Sequence, residues 1–162
     1  MTKQIRLANV DDAQILTDLL QPNSQSLGGS LDGDFAYVKV EKMLENSEVT
    51  VIYTEDEMAL GVIFSFDPAT MQKPPVIEEM LKHIDDQDYL IYGPACIASE
   101  VRGEGILGKM YKELRQQTQG KAFYAFVNQK NQDSFKAHEK IGFLLISPFS
   151  VHDEKYWIIK AE

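Results

Sequence analysis

The chain reads as a mixed α/β sandwich built around one sheet. Three observations predict this: apolar runs of strand length alternate with segments of helical period, glycines and prolines punctuate nearly every change, and no internal repeat or linker divides the 162 residues. A single domain of this length buries a core without disulfides or metals.

Residues 4–8 (QIRLA) alternate as a short strand, and Asn9 or Asp11 can cap a helix running to about Leu20, with Ile15, Leu16, Leu19 and Leu20 on one face. The polar run QPNSQSLGGSLDGD follows, long for a loop in a compact domain, and then a helix over about Phe35–Glu45. VTVIYTE (49–55) and MALGVIFSF (58–66) read as strands joined in a hairpin. Pro74-Pro75 opens a short helix over about Val76–Ile84, ahead of the acidic run DDQD. YLIYGPACIA (89–98) is an apolar strand of the kind buried on both faces. Its Gly93-Pro94 demands an edge or a bulge, because proline donates no ladder hydrogen bond, and the reading is a bulge. Ile106, Leu107, Met110, Tyr111 and Leu114 then mark one face of a helix ending at Gly120. AFYAFV is a strand, Asn131 to Ile141 a helix stopped by Gly142, and FLLIS and KYWIIK are closing strands. The order is therefore β-α-α-β-β-α-β-α-β-α-β-β.

Composition narrows the function classes. Apolar residues at 44% and charged residues at 25% are ordinary for a globular domain. The net charge of −9 opposes general binding to nucleic acid, whose phosphates select basic surfaces. The charge is unevenly placed. Residues 101–140 hold eight cations against four acids (+4), and the remainder eight against 21 (−13). A small polyanion suits the first region, and a cationic substrate the second. No segment has the length of a membrane span, and MTKQIRLANVDD has no apolar leader core, so a cytoplasmic protein with no membrane partner is expected. Cys96, the only cysteine, fits a reducing compartment and cannot by itself form a zinc site; no metal is expected.

Residues 101–110, VRGEGILGKM, carry three overlapping anion-binding patterns. A P-loop needs Ser or Thr after its lysine to ligate Mg²⁺, and Met110 stands there. Gly103, Gly105 and Gly108 spell GxGxxG between a strand and a helix, but AFYAFVNQK lacks the acidic residue that would hold a ribose. The dinucleotide reading stays as an alternative, as does a turn with no ligand. The third pattern has support outside the loop. Arg102 and Gly105 match Arg/Gln-x-x-Gly-x-Gly/Ala, while Asn131, Ser134, His138, Gly142 and Phe143 match Asn-x-x-Ser/Ala, then Tyr/His, then Gly-Phe.

This pairing, over about residues 89–145, resembles the GNAT superfamily of acetyl-CoA-dependent N-acetyltransferases. The resemblance implies a largely antiparallel central sheet flanked by helices, and a ternary complex of acetyl-CoA with a primary amine. It places the pyrophosphate on the loop and helix start at Arg102, Gly103, Glu104, Gly105, Ile106, Leu107, Gly108 and Lys109. The physics agrees: glycines admit an anion to the backbone, and free amides at a helix start point at it. Leu107 departs from the family's usual Gly or Ala. By the same resemblance, backbone amides at Ile97, with Ala98 nearby, hold the pantetheine and polarise the thioester. A bulge at Gly93-Pro94 would splay this strand from the next and open a slot for the pantetheine arm, which is a separate expectation. Asn131 and Ser134 match coenzyme contacts, though both are also good helix caps.

His138 stands where many members of the family place a tyrosine that protonates the thiolate. Its spacing from Phe135 and Ile141 turns it inward, so a packed structural histidine and a proton donor are both open readings. Tyr92 and Glu100 are candidate bases for the amine. Cys96 as a nucleophile lacks a neighbouring histidine in sequence. A homodimer is an admissible assembly, and an acyl-CoA-binding module without catalysis is the alternative to the enzyme.

Overall fold

The computed structural model describes residues 2–24, 27, 29, 31 and 33–162. Seven strands form one sheet: β1 (Lys3–Leu7), β2 (Val49–Glu55), β3 (Met58–Phe66), β4 (Tyr89–Ile97), β5 (Ala122–Asn128), β6 (Leu144–Val151) and β7 (Glu154–Ala161). Their order is β1-β2-β3-β4-β5-β7-β6, and all neighbours are antiparallel except β4 and β5. The helices are α1 (Ala13–Leu20), α2 (Tyr37–Asn46), α3 (Pro75–Leu81), α4 (Ile106–Gln117) and α5 (Gln132–Lys140). The expected element order and the β2–β3 hairpin are both present.

Local chemistry explains the element ends. Asn9, not Asp11, makes the first cap: its side chain accepts from the Asp11 amide at 2.8 Å, and Asp12 reaches back to the Asn9 amide at 3.0 Å. Asp12 also takes both terminal nitrogens of Arg6, at 2.9 and 2.8 Å, which ties β1 to the start of α1. α1 continues into a 3-10 turn at Gln21–Asn23, where Pro22 suits a helical first turn. Of the polar loop after it, positions 25, 26, 28, 30 and 32 lie outside the described residues; its far end is held by the Phe35 amide donating to Gln21 Oε1 at 2.9 Å.

Eight successive residues of β3, Ala59–Phe66, are buried, so both faces of the strand are covered. α1 packs on β3, and α4 lies across β1, β2 and β3. On the α4 face Gly61 admits Met110: a Cβ at Gly61 would stand 2.9 Å from the methionine methyl. Phe64, Ile63, Met110, Leu114 and Phe123 are among the fully buried side chains that join the layers.

The bulge expected in β4 is present. Ile63 pairs with Ala95 and Ser65 with Tyr92, so Gly93 and Pro94 together stand opposite Phe64, one residue more than on β3, and Gly93 has φ +114°. β4 keeps its pairing with β3 on both sides of the bulge, yet it pairs with β5 only through Tyr89–Ile91. Beyond Ile91 the two strands run on without a ladder between them. No described helix is long and apolar enough to cross a membrane.

Candidate active site

Past β4 the chain makes a 3-10 turn at Ser99–Val101, anchored by the buried Val101, and then four exposed residues, Arg102–Gly105. Gly103 and Gly105 have φ +83° and +78°, and a Cβ at either would meet nothing within 4 Å. Both glycines therefore serve the backbone dihedral rather than a close approach of protein atoms. Gly105 is the N-cap of α4 and offers no capping side chain. The first intrahelical bond at this end is Lys109 N–H to Gly105 O at 3.2 Å, so the amides of Ile106, Leu107 and Gly108 precede the ladder at the positive end of a 12-residue helix. Ile106 is buried and Leu107 packs partly against the core, while Lys109 is exposed beside the loop. Glu104 is the one acid within the loop.

Arg102 is turned back toward β4, where its Nε donates to Ile97 O at 3.0 Å. That bond locates the edge of β4. The Ala98 amide donates to Leu60 O at 2.9 Å, on the β3 side. Backbone groups alternate along a strand, so the amide and carbonyl of Ile97 face the other way, into the gap between β4 and β5. Of the two positions named from the sequence, Ile97 thus presents its amide to the gap, and Ala98 has its amide engaged in the sheet.

Behind the gap lies a cluster of rings. Tyr92 packs against Tyr111, Phe123, His138 and Phe143, with centroids 4.8 to 6.2 Å apart. His138 Nε2 lies 2.9 Å from Tyr92 Oη, and Nδ1 lies 2.8 Å from the carbonyl of Ser134. A carbonyl only accepts, so Nδ1 carries the proton and Nε2 accepts from the Tyr92 hydroxyl. Burial pushes the His138 pKa down, against a smaller opposing effect of the Ser134 carbonyl, and the imidazole is neutral near pH 7. Burial also raises Tyr92 well above its ordinary value. Both side chains are buried and mutually satisfied, and among the described residues no buried side-chain nitrogen or oxygen lacks a partner.

The other sequence candidates separate. Asn131 caps α5, accepting from the Ser134 amide at 3.2 Å. Glu100 is exposed in the turn before the glycine loop. Cys96 is buried with its pKa raised to about 11 by burial, a protonated thiol near neutrality. Among the described residues no group of three or more His, Cys, Asp and Glu could hold a metal. Sequence reasoning did not foresee the pairing of Tyr92 with His138 or the bond from Arg102 to Ile97. The first pair is 46 residues apart and leaves no local pattern, and the second joins a side chain to a backbone carbonyl, which no residue-type motif records.

The same architecture recurs among solved structures. An acetyltransferase of the GNAT family from Streptococcus agalactiae superposes with a TM-score of 0.75 at 17% identity, covering 98% of this chain and 94% of that one. A putative acetyltransferase from Salmonella typhimurium, yncA, solved with acetyl-CoA, gives 0.71 at 13% identity over 100% and 94%. The chain has the GNAT fold. AAC(6′)-Ib in complex with ribostamycin and coenzyme A shares that fold too, at a TM-score of 0.72 and 14% identity over 99% and 93%. No protein-family model and no curated protein matches the sequence. Within the GNAT fold of this chain, the glycine loop, the β4–β5 gap and the ring cluster stand in sequence along β4 and its exit.

Proposed function

We propose that the protein is an N-acetyltransferase that binds acetyl-CoA and a primary amine together and transfers the acetyl group directly. The observation that carries this reading is the pairing of an uncapped α4 N-terminus with a strand that parts from its neighbour just upstream. The first offers backbone amides to a pyrophosphate; the second opens a slot for a pantetheine arm, with the Ile97 amide directed into it. Asn131 and Ser134, at the start of α5, are the remaining candidates for coenzyme contact.

In this reading the amine nitrogen attacks the thioester carbon, and the oxyanion that develops is stabilised by the Ile97 N–H. The C–S bond then breaks, the thiolate takes up a proton, and the nitrogen loses one. The site acts chiefly by holding the two reactants together. Arg102 fixes the Ile97 carbonyl and so the orientation of the adjoining peptide. The acidic remainder of the chain favours a cationic amine, of a small molecule or a peptide, and the single buried Cys96 accords with a cytoplasmic setting.

One observation favours a second reading. Both ring nitrogens of His138 are engaged within the fold, so the helix position that would deliver a proton to the thiolate is already occupied by structural bonds. A module that binds or senses acyl-CoA without turnover is consistent with that. Calorimetry with CoA, acetyl-CoA, NAD and ATP, followed by thiol release with a panel of amines, decides among the readings. The enzyme requires CoA binding and amine-dependent thiol release; binding alone supports the sensor, and preference for NAD or ATP removes both.

A further inference from the structure

Tyr92 is the first residue of β4 after the strand stops pairing with β5, and the bulge at Gly93 and Pro94 begins directly after it. Its ring packs in the cluster formed by α4, β5 and α5, where its hydroxyl meets His138. His138 is in turn bonded to the carbonyl of Ser134, one turn earlier on α5. A continuous chain of polar contacts therefore runs from the point of strand divergence to the first turn of α5. The ring-on-ring contacts of the cluster tolerate sliding, whereas a hydrogen bond fixes distance and direction; Ser134 Oγ lies a further 3.4 Å from His138 Nδ1.

We propose that Tyr92 and His138 are positioning residues: their hydrogen bond, with His138 held as the Nδ1–H tautomer, fixes β4 against α5 and so sets the width of the β4–β5 gap. This rests on the gap receiving the pantetheine arm. The pair does not exchange a proton with the thiolate, because the Tyr92 proton is directed at Nε2 and the His138 proton at a backbone carbonyl. The assignment differs from an acid–base role in what it does to kinetics. A positioning pair controls how well acetyl-CoA seats, while an acid would control the rate of C–S cleavage and impose a pH limb on kcat.

The test combines spectroscopy and kinetics on the full chain. Long-range ¹H–¹⁵N correlation of the imidazole should report a protonated Nδ1 and a bare Nε2; the opposite tautomer or an imidazolium at pH 7 overturns the proposal whether or not the protein has activity. Tyr92→Phe, which keeps the ring and removes the hydroxyl, should raise KM for acetyl-CoA by a factor on the order of five to ten, with the loss falling on KM rather than kcat. His138→Gln, which returns an acceptor near the place of Nε2, should recover most of what His138→Leu loses. A fall in kcat of about 100-fold with loss of a pH limb assigns the pair to proton transfer, and no change in either constant shows the bond is irrelevant to the gap. Should Tyr92→Phe fail to fold, the tautomer measurement and the Gln-against-Leu comparison still decide. Absence of CoA binding by the unaltered protein strikes at the proposed function instead, since the tautomer is read independently of it.

Discussion

Replacing Gly105 with alanine isolates the backbone's contribution to the glycine loop. The residue has φ +78° and ψ 14°, and an added Cβ meets no atom within 4 Å, so the whole cost is conformational. For an L-residue other than glycine this region costs about 1–2 kcal/mol. Where that cost appears depends on whether the loop gives way. If the loop keeps its shape, stability falls by the full amount, about 2–8 °C in Tm for a chain of this size, and affinity for CoA is unchanged. If the loop relaxes in the free protein and must be restored on binding, Tm holds and Kd rises about 5- to 30-fold. The two losses should sum to the same 1–2 kcal/mol. Gly120 is the control: it has φ +76°, equally open space and a place beyond the other end of α4. Gly120→Ala should lower Tm to a similar extent and leave CoA binding alone, and Gly105→Asn should recover part of the loss because asparagine tolerates this conformation. Calorimetry and thermal melts on the three variants suffice. A Gly105→Ala protein with both Tm and Kd unchanged would show that neither the left-handed turn nor an amide cradle built on it is needed.

Three further outcomes follow from the geometry. Gly61→Ala drives a methyl to 2.9 Å from Met110 Cε, 3.2 Å from its Sδ and 3.3 Å from Ile97 Cδ1, and Met110 is fully buried; overpacking should cost about 1–3 kcal/mol in urea melts, part of it recovered by shortening Met110 to Ala, and additivity of the two changes would refute the contact. Asp12→Ala removes a capping carboxylate and the bidentate partner of Arg6 and should cost about 1–2 kcal/mol; the hydrogen bond from Arg6 lowers the Asp12 pKa, so this stability is present above the ordinary aspartate value and disappears as pH falls through the folded one. Burial depresses the His138 pKa, so the unfolded chain binds the extra proton first: stability is complete above about pH 6.5 and declines as pH falls below it, at no more than about 1.4 kcal/mol per pH unit. His138→Gln should flatten that slope between pH 6.5 and 5, and an unaltered slope would place the proton elsewhere.

The helices and the central strands were legible because their signals are local. The apolar spacing from Ile106 to Leu114 placed α4, and Gly93-Pro94 pointed to an edge or a bulge because no ladder can use a proline nitrogen. The end of the chain was less legible. FLLIS predicts a strand ending at Ser147, but β6 continues to Val151, with Pro148 accommodated because β6 is the edge of the sheet. Its turn to β7 uses His152 and Asp153, with φ +49° and +70°, where a hairpin signal would ordinarily be Asn-Gly or Asp-Gly. Nor does the sequence state that β7 lies between β5 and β6. Strand order is fixed by pairing between distant residues, and no period records it.

The site divides along the same line. The glycine loop was readable because it is contiguous and its physics is that of the backbone: positive φ at Gly103 and Gly105, then a bare helix start. His138 was readable only as far as its inward orientation, from its spacing to Phe135 and Ile141. Its protonation state depends on which acceptor lies beside Nδ1, and that acceptor is the carbonyl of Ser134, four residues back on the same helix. The helix supplies this contact whenever the ring turns toward its N-terminus, as the Cα–Cβ direction favours. What the helix cannot supply is Tyr92, which reaches Nε2 from β4 at the point where that strand has ceased to pair with β5. One nitrogen is thus fixed by local geometry and the other by topology. The fold that separates β4 from β5 also supplies the hydroxyl that holds the separation.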